Sequence, residues 1–257
     1  MKQRHLLYIG LLMLLSCHQI DEADRLIEVE TARIARAVLI EDFTGQRCVN
    51  CPNAALEIER LQAEYGKDHV IAVAIHSGPL AVYSNEKVTG LRTQLGDDYY
   101  DYWKVESEPS GLINRKGGVA LLSQWPALVH QELQQKAIAE LVLTQTAPDH
   151  LAVGAHVTEP FKGKLQLWLT EDSIIAPQMM PDGTMNRDYV HYHVLRAAVN
   201  GTWGTDVDWQ PGSHYTLPFS VKVEDGWNTD RLSVVAFIYD DDGVRQVVSL
   251  RLSASPD

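Results

Sequence analysis

Apolar residues follow two different rhythms along this chain. In the first half they form short continuous runs, "RAVLIEDF" (36–43) and "HVIAVAIH" (69–76), of the length and Val/Ile/Leu content of buried strands. Between them, "PNAALEIERLQAEY" (52–65) places Ala55, Ile58, Leu61 or Gln62, and Tyr65 at helical spacing, with Glu57, Glu59, Arg60 and Glu64 mostly elsewhere on the wheel. Gly66 is a suitable residue to end that helix. Residues 77–108 form an insertion with a helix through "TGLRTQLGDDYYDYW". "GLINR", "KGG" and "VALL" give strand, turn and strand, and "SQWPALVHQELQQKAIAEL" (123–141) predicts a closing helix capped by Ser123. Strand–helix–strand, insertion, strand–strand–helix is the order of one α/β domain, set at 37–147.

From residue 148 the runs shorten, alternate and are separated by turn residues. "HLAVGAHV", "KLQLWLT", "YVHYHVLRAAV", "HYTLPFSVKV", "RLSVVAFIYD" and "RQVVSLRL" are divided by "EPFKG", "MPDG", "NGTWG", "QPG" and "DDDG". That spacing predicts an antiparallel β-sandwich domain, immunoglobulin-like, over 148–257.

The chain's start has another character. "MKQRHLLYIGLLMLLSC" sets Lys2 and Arg4 before an apolar run too short for a comfortable membrane span, the layout of a secretory signal. Its ending, Leu14-Leu15-Ser16-Cys17, resembles the lipobox of bacterial lipoproteins. The resemblance implies a signal peptide over 1–16, lipid on Cys17 and a tether over 17–36. Loss of Lys2 and Arg4 deepens the formal charge from −12 to −14. Such an acidic chain is a poor match for nucleic acid or an anionic membrane surface as its main partner.

Cysteine usage narrows the chemistry. Of three cysteines, Cys17 is assigned to lipid, which leaves Cys48 and Cys51 in "TGQRCVNCPNAA". A zinc site needs four ligands, and no second cysteine pair exists, although His69 and His76 lie nearby in sequence. A passive staple closing so short a loop restrains the unfolded chain little. A working dithiol gains from position. At a helix N-terminus a thiolate is stabilised by the partial positive charge there, and three residues on Cys51 lies on the same face, able to resolve a mixed disulfide at Cys48. Pro52 fits the first helical turn, where a missing N–H costs nothing.

The pattern resembles the thioredoxin superfamily: a buried strand with an acid six residues before the first cysteine, then Cys-x-x-Cys opening a helix. The resemblance implies that Asp42, or Glu41 beside it, accepts the Cys51 proton. It also implies that Pro109 in "SEPSGLINR" is the cis-proline opposite the cysteines, with Glu108-Pro109 as the cis bond. The chain departs from the family in having Arg47 where Trp is usual and Val49-Asn50 between the cysteines. "EDFTGQRCVNCP", "SGLINR", "YVHYHVLR" and "DGWNTDRLSVVAFIYDDDGVRQVV" resemble the outer membrane protein 28 related lipoproteins of Bacteroidetes. That resemblance implies an outer-membrane lipoprotein, periplasm-facing or at the cell surface, with a thioredoxin-like domain followed by a β-domain. The acidic run Asp21, Glu22, Asp24 is similar to surface-export signals.

In the second half, "YVHYHVLR" puts His191 and His193 on one face if it is a single strand, without a visible third metal ligand. "DDDG" (240–243) reads as a hairpin turn rather than a calcium loop. Trp168, Trp203, Trp209 and Trp227 suit core and turn packing better than a carbohydrate surface. The expected function is thiol–disulfide exchange on exported protein thiols or disulfides, with no cofactor and no metal. The alternative is a surface binding or adhesion lipoprotein in which Cys48–Cys51 is structural and the β-domain meets the partner.

Overall fold

The computed structural model describes residues 35–253. The expected signal peptide, most of the tether, Cys17 and the acidic run after it lie outside these residues.

The continuous apolar run at 38–44 is continuous because both of its faces are covered. It forms β1 (Val38–Thr44), every residue of which is buried. Val38 and Ile40 pack against Ala54, Ile58 and Leu61 of helix α1 (Cys51–Tyr65) and against Trp125 and Val129 of helix α3 (Trp125–Leu133). Leu39 and Phe43, on the opposite face, pack with Tyr99, Trp168, Val235 and Phe237. β2 (Val70–His76) pairs with β1 in parallel, joined to it through α1. α1 carries Pro52 in its first turn and ends at Gly66, whose φ of +96° suits glycine and whose N–H donates to the Gln62 carbonyl. β3 (Ser110–Ile113) pairs antiparallel with the other edge of β1, and β4 (Ala120–Leu121) with β3. Helix α2 (Gln94–Tyr102) lies in the insertion and is capped by Thr93, whose Oγ1 accepts from the Gly96 N–H.

Alternation governs the rest. β5 (Ala139–Ala147), β6 (His150–Val157) and β12 (His214–Ser220) form a three-stranded sheet. Its inward residues Leu141, Leu143, Leu151, Val153 and Val157 meet Leu165, Leu167, Leu169, Val234, Ala236 and Ile238. The latter lie on β7 (Phe161–Glu171) and β13 (Leu232–Asp240), beside β14 (Gly243–Arg251). Two faces in contact over one apolar layer make the sandwich. β10 (Val194–Ala198) and β11 (Thr205–Trp209) both pair with β7. β10 also meets β2 in parallel, Val194 opposite Ala74, with the Ala74 N–H donating to the His193 carbonyl at 2.8 Å. One nine-stranded sheet therefore runs β14-β13-β7-β10-β2-β1-β3-β4, with β11 beside β7. β8 (Ile174–Met179) and β9 (Met185–His191) form a hairpin of their own.

Several elements differ from the sequence expectation. The helix predicted over 123–141 ends at Leu133, and the sandwich sheet begins at Ala139, before the expected border at 148. Ala139, Leu141 and Leu143 alternate inward, a two-residue period that "QKAIAEL" hides when read at helical spacing. "YVHYHVLRAAV" is two strands rather than one. The chain breaks at Tyr192-His193, His193 taking φ +58°, so His191 and His193 do not share a strand face. The His193 ring lies 3.3 Å from Asp172, whereas the buried His191 ring meets the Ala176 carbonyl. β8 and β11 were not expected. "DDDG" is the β13–β14 turn, where Gly243 has φ +104° and an added Cβ would sit 2.4 Å from the Asn114 carbonyl oxygen. Trp168 and Trp209 are core residues, Trp203 packs on Tyr99 and Tyr102, and the Arg196 guanidinium lies 4.9 Å from the Trp227 ring centre.

A buried charge pair fastens β1 to the sandwich. Arg115 donates through Nε to Glu41 Oε1 at 2.6 Å and through Nη2 to Glu41 Oε2 at 3.2 Å, with its guanidinium 4.5 Å from the Tyr239 ring and 5.0 Å from that of Phe237. Removing one member of a buried pair leaves the other charge uncompensated. Arg115→Met is expected to cost about 3–5 kcal/mol in urea denaturation, and Glu41→Gln combined with Arg115→Met much less. A single-variant cost below about 1 kcal/mol, the level of an exposed pair, would show that the pair is not a fastening.

Candidate functional site

The site is assembled at the end of β1, where the chain must turn sharply into α1. At Gly45 an added Cβ would lie 2.5 Å from the Leu80 carbonyl carbon and 2.7 Å from Glu108 Oε2, so no larger residue fits without a shift. The turn is closed by the Arg47 N–H donating to the Leu80 carbonyl and the Cys48 N–H donating to that of Gly45. Cys48 and Cys51 form a disulfide with Cα atoms 5.5 Å apart, Cys51 opening α1. Both are buried, at 4% and 3% exposure, whereas Val49 between them is 47% exposed.

Cys48 lies under the β8–β9 hairpin. Gln178 Nε2 donates to the carbonyls of Cys48 at 2.9 Å and Gly45 at 3.3 Å, and the Met179 N–H donates to the Gln46 carbonyl at 2.8 Å. Gln46 answers from the other side. Its Nε2 donates to the Pro177 and Thr89 carbonyls and its Oε1 accepts from the Leu91 N–H. Both glutamines are buried, so the amides replace the water that these backbone groups would otherwise need.

Two carboxyl groups stand beside the disulfide. Asp42 points to the α1 side of β1, the face opposite to Glu41. Glu41 is the acid that Arg115 neutralises; no ion pair among the described residues reaches Asp42, whose Oδ1 has no hydrogen-bond partner. Burial, with the nearby Glu108 charge adding to it, pushes Asp42 up to about 8. The Glu108-Pro109 bond is cis. A Glu108 carboxylate oxygen and the Sγ atoms of Cys48 and Cys51 all lie within 4.8 Å of one another. Both Glu108 oxygens are shut from solvent without a hydrogen-bond partner, and burial raises this group to about 7 against the opposing pull of Arg92.

A cavity of about 580 Å³ opens beside Cys51, lined by Asp42, His76, Gln178, Tyr189 and His191 among others. The His76 and His191 rings lie 5.2 Å apart. Burial depresses both imidazoles, His191 to about 4, so they are neutral at neutral pH. Cys48, Cys51 and Glu108 converge as a metal site would, but sulfurs bonded to each other are not thiolate ligands, and in this form the group is not a metal centre. His69 is not among the cavity's residues, and His193, although it lines the same cavity, is turned to Asp172.

The structure thus brings together Asp42, Cys48, Cys51 and the cis bond at Pro109. Sequence reading missed Glu108 as a side chain, Gln46 and Gln178, and it weighed His76 with His69 and His191 with His193 where the structure pairs His76 with His191. Only Glu108 left a local signal, as the residue preceding the cis-proline.

The family model described as outer membrane protein Omp28 matches residues 96–255. The chain belongs to the Omp28 family. The match includes Glu108, Pro109 and the β8–β9 hairpin and leaves Asp42, Cys48 and Cys51 outside it. Membership places this Omp28 protein at the outer membrane, and among its described residues no helix is long and apolar enough to cross a membrane. Among solved structures it is similar in fold to HBP35 of Porphyromonas gingivalis, with a TM-score of 0.65 and 17% identity over 88% of this chain and 78% of that one. A domain of the outer membrane lipoprotein Omp28 from Porphyromonas gingivalis aligns with 46% of this chain and 89% of its own at 24% identity, with a TM-score of 0.30. No curated protein sequence matches the chain.

The two carboxyl groups have a consequence for stability. Between the ordinary carboxylate range and about 8, the folded Omp28 protein keeps protons on Asp42 that the unfolded chain has released. Stability then falls as pH rises through that window, because the folded state holds more protons. Asp42→Asn is expected to flatten this fall in denaturation midpoints measured across the window. An unchanged slope would mean that Asp42 is ionised in the folded protein.

Proposed function

We propose that this Omp28 protein is anchored in the outer membrane by lipid on Cys17 and carries a thioredoxin-like unit within residues 37–147. Its Cys48–Cys51 pair exchanges with thiols or disulfides of exported proteins. The sandwich, whose first strand begins at Ala139, supplies the hairpin over the site and a surface for partners. The observation that carries this reading is a disulfide opening α1 with sealed, cation-poor carboxyl groups against it. The parallel β1–α1–β2 unit and the cis-proline leading into the antiparallel β3 support the thioredoxin-like assignment.

In the oxidised protein a client thiolate attacks Cys48 Sγ. The Cys48–Cys51 bond breaks, a mixed disulfide forms at Cys48, and the electron pair leaves on Cys51 Sγ. A neighbouring carboxyl, Asp42 in the thioredoxin-like assignment, protonates that sulfur. A second client thiolate then displaces Cys48, and two electrons have passed from client to protein. Run in reverse, the same steps reduce a client disulfide, with electrons that must come from another reductant. Cys48 is only 4% exposed and its carbonyl is held by Gln178 of the hairpin, so on this reading the hairpin lifts to admit a client.

That same burial favours a second reading, a surface binding protein in which the disulfide is structural. Equilibration in glutathione buffers with mass-spectrometric readout separates the two. A midpoint within ~−120 to −270 mV is expected for an exchanging pair, and one below ~−300 mV belongs to a structural disulfide. In parallel, Cys51→Ser is expected to accumulate mixed disulfides through Cys48, whereas Cys48→Ser is expected to trap none. Equal absence of adducts in both variants would leave the structural reading standing.

A further inference from the structure

We infer that Glu108 is the group that exchanges a proton with the Cys48–Cys51 pair as the disulfide opens and closes. The inference rests on the exchange reading and adds to it a residue that the thioredoxin-like resemblance does not supply, since there the proton partner is Asp42.

Convergence is the first support. A carboxylate oxygen of Glu108 lies within 4.8 Å of both sulfurs, so a side-chain adjustment of little more than 1 Å brings it to contact with whichever sulfur leaves. Position is the second. Beside Gly45 and Gly78 the carboxylate occupies space that any Cβ would fill: an added Cβ would lie 2.7 Å from Oε2 at Gly45 and 2.9 Å from Oε1 at Gly78. Two glycines at close approach leave room for a buried acid, and nothing in the enclosure donates a hydrogen bond to it.

The charges facing Glu108 come from three elements. Asp42 faces it from β1, Arg92 precedes α2, and Asp97 and Tyr100 lie on α2. Arg92 is already engaged by both oxygens of Asp97 at 3.0 and 2.9 Å, so its charge is largely spent there. Asp42 and Glu108 each raise the cost of ionising the other, and such a pair holds at least one proton near neutral pH. Burial holding Glu108 at about 7 agrees with that geometry.

The step balances simply. When an incoming thiolate bonds to Cys48 Sγ, the pair of electrons from the broken S–S bond stays on Cys51 Sγ. The proton on Glu108 moves to that sulfur, and Glu108 becomes a carboxylate that water reprotonates. On closure the Cys51 thiol gives its proton to the Glu108 carboxylate, the Cys51 thiolate attacks Cys48 Sγ of the mixed disulfide, and the Cys48–client bond breaks with the client sulfur leaving as thiolate. Asp42 acts behind this exchange, through its charge on Glu108.

The test is a thiolate titration by ultraviolet absorbance on full-length protein kept reduced with excess phosphine, comparing wild type, Glu108→Gln and Asp42→Asn. Removing a like charge beside the sulfurs is expected to lower the first thiol ionisation in Glu108→Gln by about one pH unit, about tenfold more thiolate near neutrality. Proton uptake on reduction, counted by pH-stat, is expected to change in Glu108→Gln around neutral pH. Should Glu108→Gln fail to fold, Glu108→Asp keeps the charge and withdraws it by one methylene, and an intermediate shift is expected. Titration and proton count superimposing on wild type in the Glu108 variant, with Asp42→Asn alone shifted, would overturn the inference in favour of Asp42. Because the titration uses chemically reduced protein, it decides the role of Glu108 even if glutathione equilibration shows that the wild type does not exchange.

Discussion

Two neighbouring carboxylates on one buried strand cannot both be neutralised from the same side, and much of this structure follows from which one is. The pleat of β1 sends Glu41 and Asp42 to opposite faces. Glu41 meets Arg115, held at φ +56° in the turn after β3 and ringed by Tyr239, Phe237, Trp168 and Trp103. The adjacent Asn114 fixes that turn from three directions. Its carbonyl accepts from Val244, its Oδ1 from the Leu39 N–H, and its Nδ2 donates to Glu132. With β1 locked in this register, Asp42 has one place to go, beneath α1 beside Cys51, where no cation waits. A charge paired on one face thereby leaves an unpaired carboxyl on the other, one that burial keeps protonated near neutral pH.

The same division explains why the disulfide region is covered rather than open. The turn after β1 exposes the carbonyls of Gly45, Gln46 and Cys48, which belong to no helix or strand ladder. The Gln178 amide satisfies those of Gly45 and Cys48 and the Met179 N–H that of Gln46, and Gln178 and Met179 belong to a hairpin about 130 residues away in sequence. Opposing influences act on a thiol there. The start of α1 stabilises thiolate, whereas burial and two nearby carboxyl groups oppose it. Lifting the hairpin would restore water to the sulfurs and shift that balance toward thiolate, so covering and reactivity are coupled through the same few hydrogen bonds.

What was legible in the sequence was whatever the local pattern encodes. β1 and β2 announced themselves as unbroken apolar runs because both faces are buried, and α1 by its spacing and its closing Gly66. "DDDG" read correctly as a turn because glycine at φ +104° leaves few alternatives. β5 was lost to a helical reading because "QKAIAEL" satisfies both periods, and only contact with β6 decides between them. The break at Tyr192-His193 has no glycine or proline to mark it and depends on Asp172 holding the His193 N–H at 2.7 Å. Glu41 and Asp42 were both candidates for the acid because the pleat makes them equivalent until Arg115 is placed. Glu108 and Gln178 were invisible as site residues for a plainer reason: their roles exist only through contacts with residues far away in the sequence.

Those long-range contacts bear on what a functional unit is in this protein. The segment that matches the family description begins at residue 96, so the hairpin, Glu108 and Pro109 fall within it and the cysteines do not. Yet the disulfide is enclosed by both. β10 carries the sandwich directly onto β2 through the His193–Ala74 hydrogen bond, and the His191 ring of β9 rests on His76 of β2. A chain cut anywhere between the cysteines and the hairpin would expose an apolar strand edge, strand the Gly45 and Cys48 carbonyls, and open the cavity beside Asp42 to water. The chemistry of the cysteines and the architecture of the sandwich are therefore not separable modules on a string. Whichever role the disulfide plays, its environment is made by both halves of the molecule together.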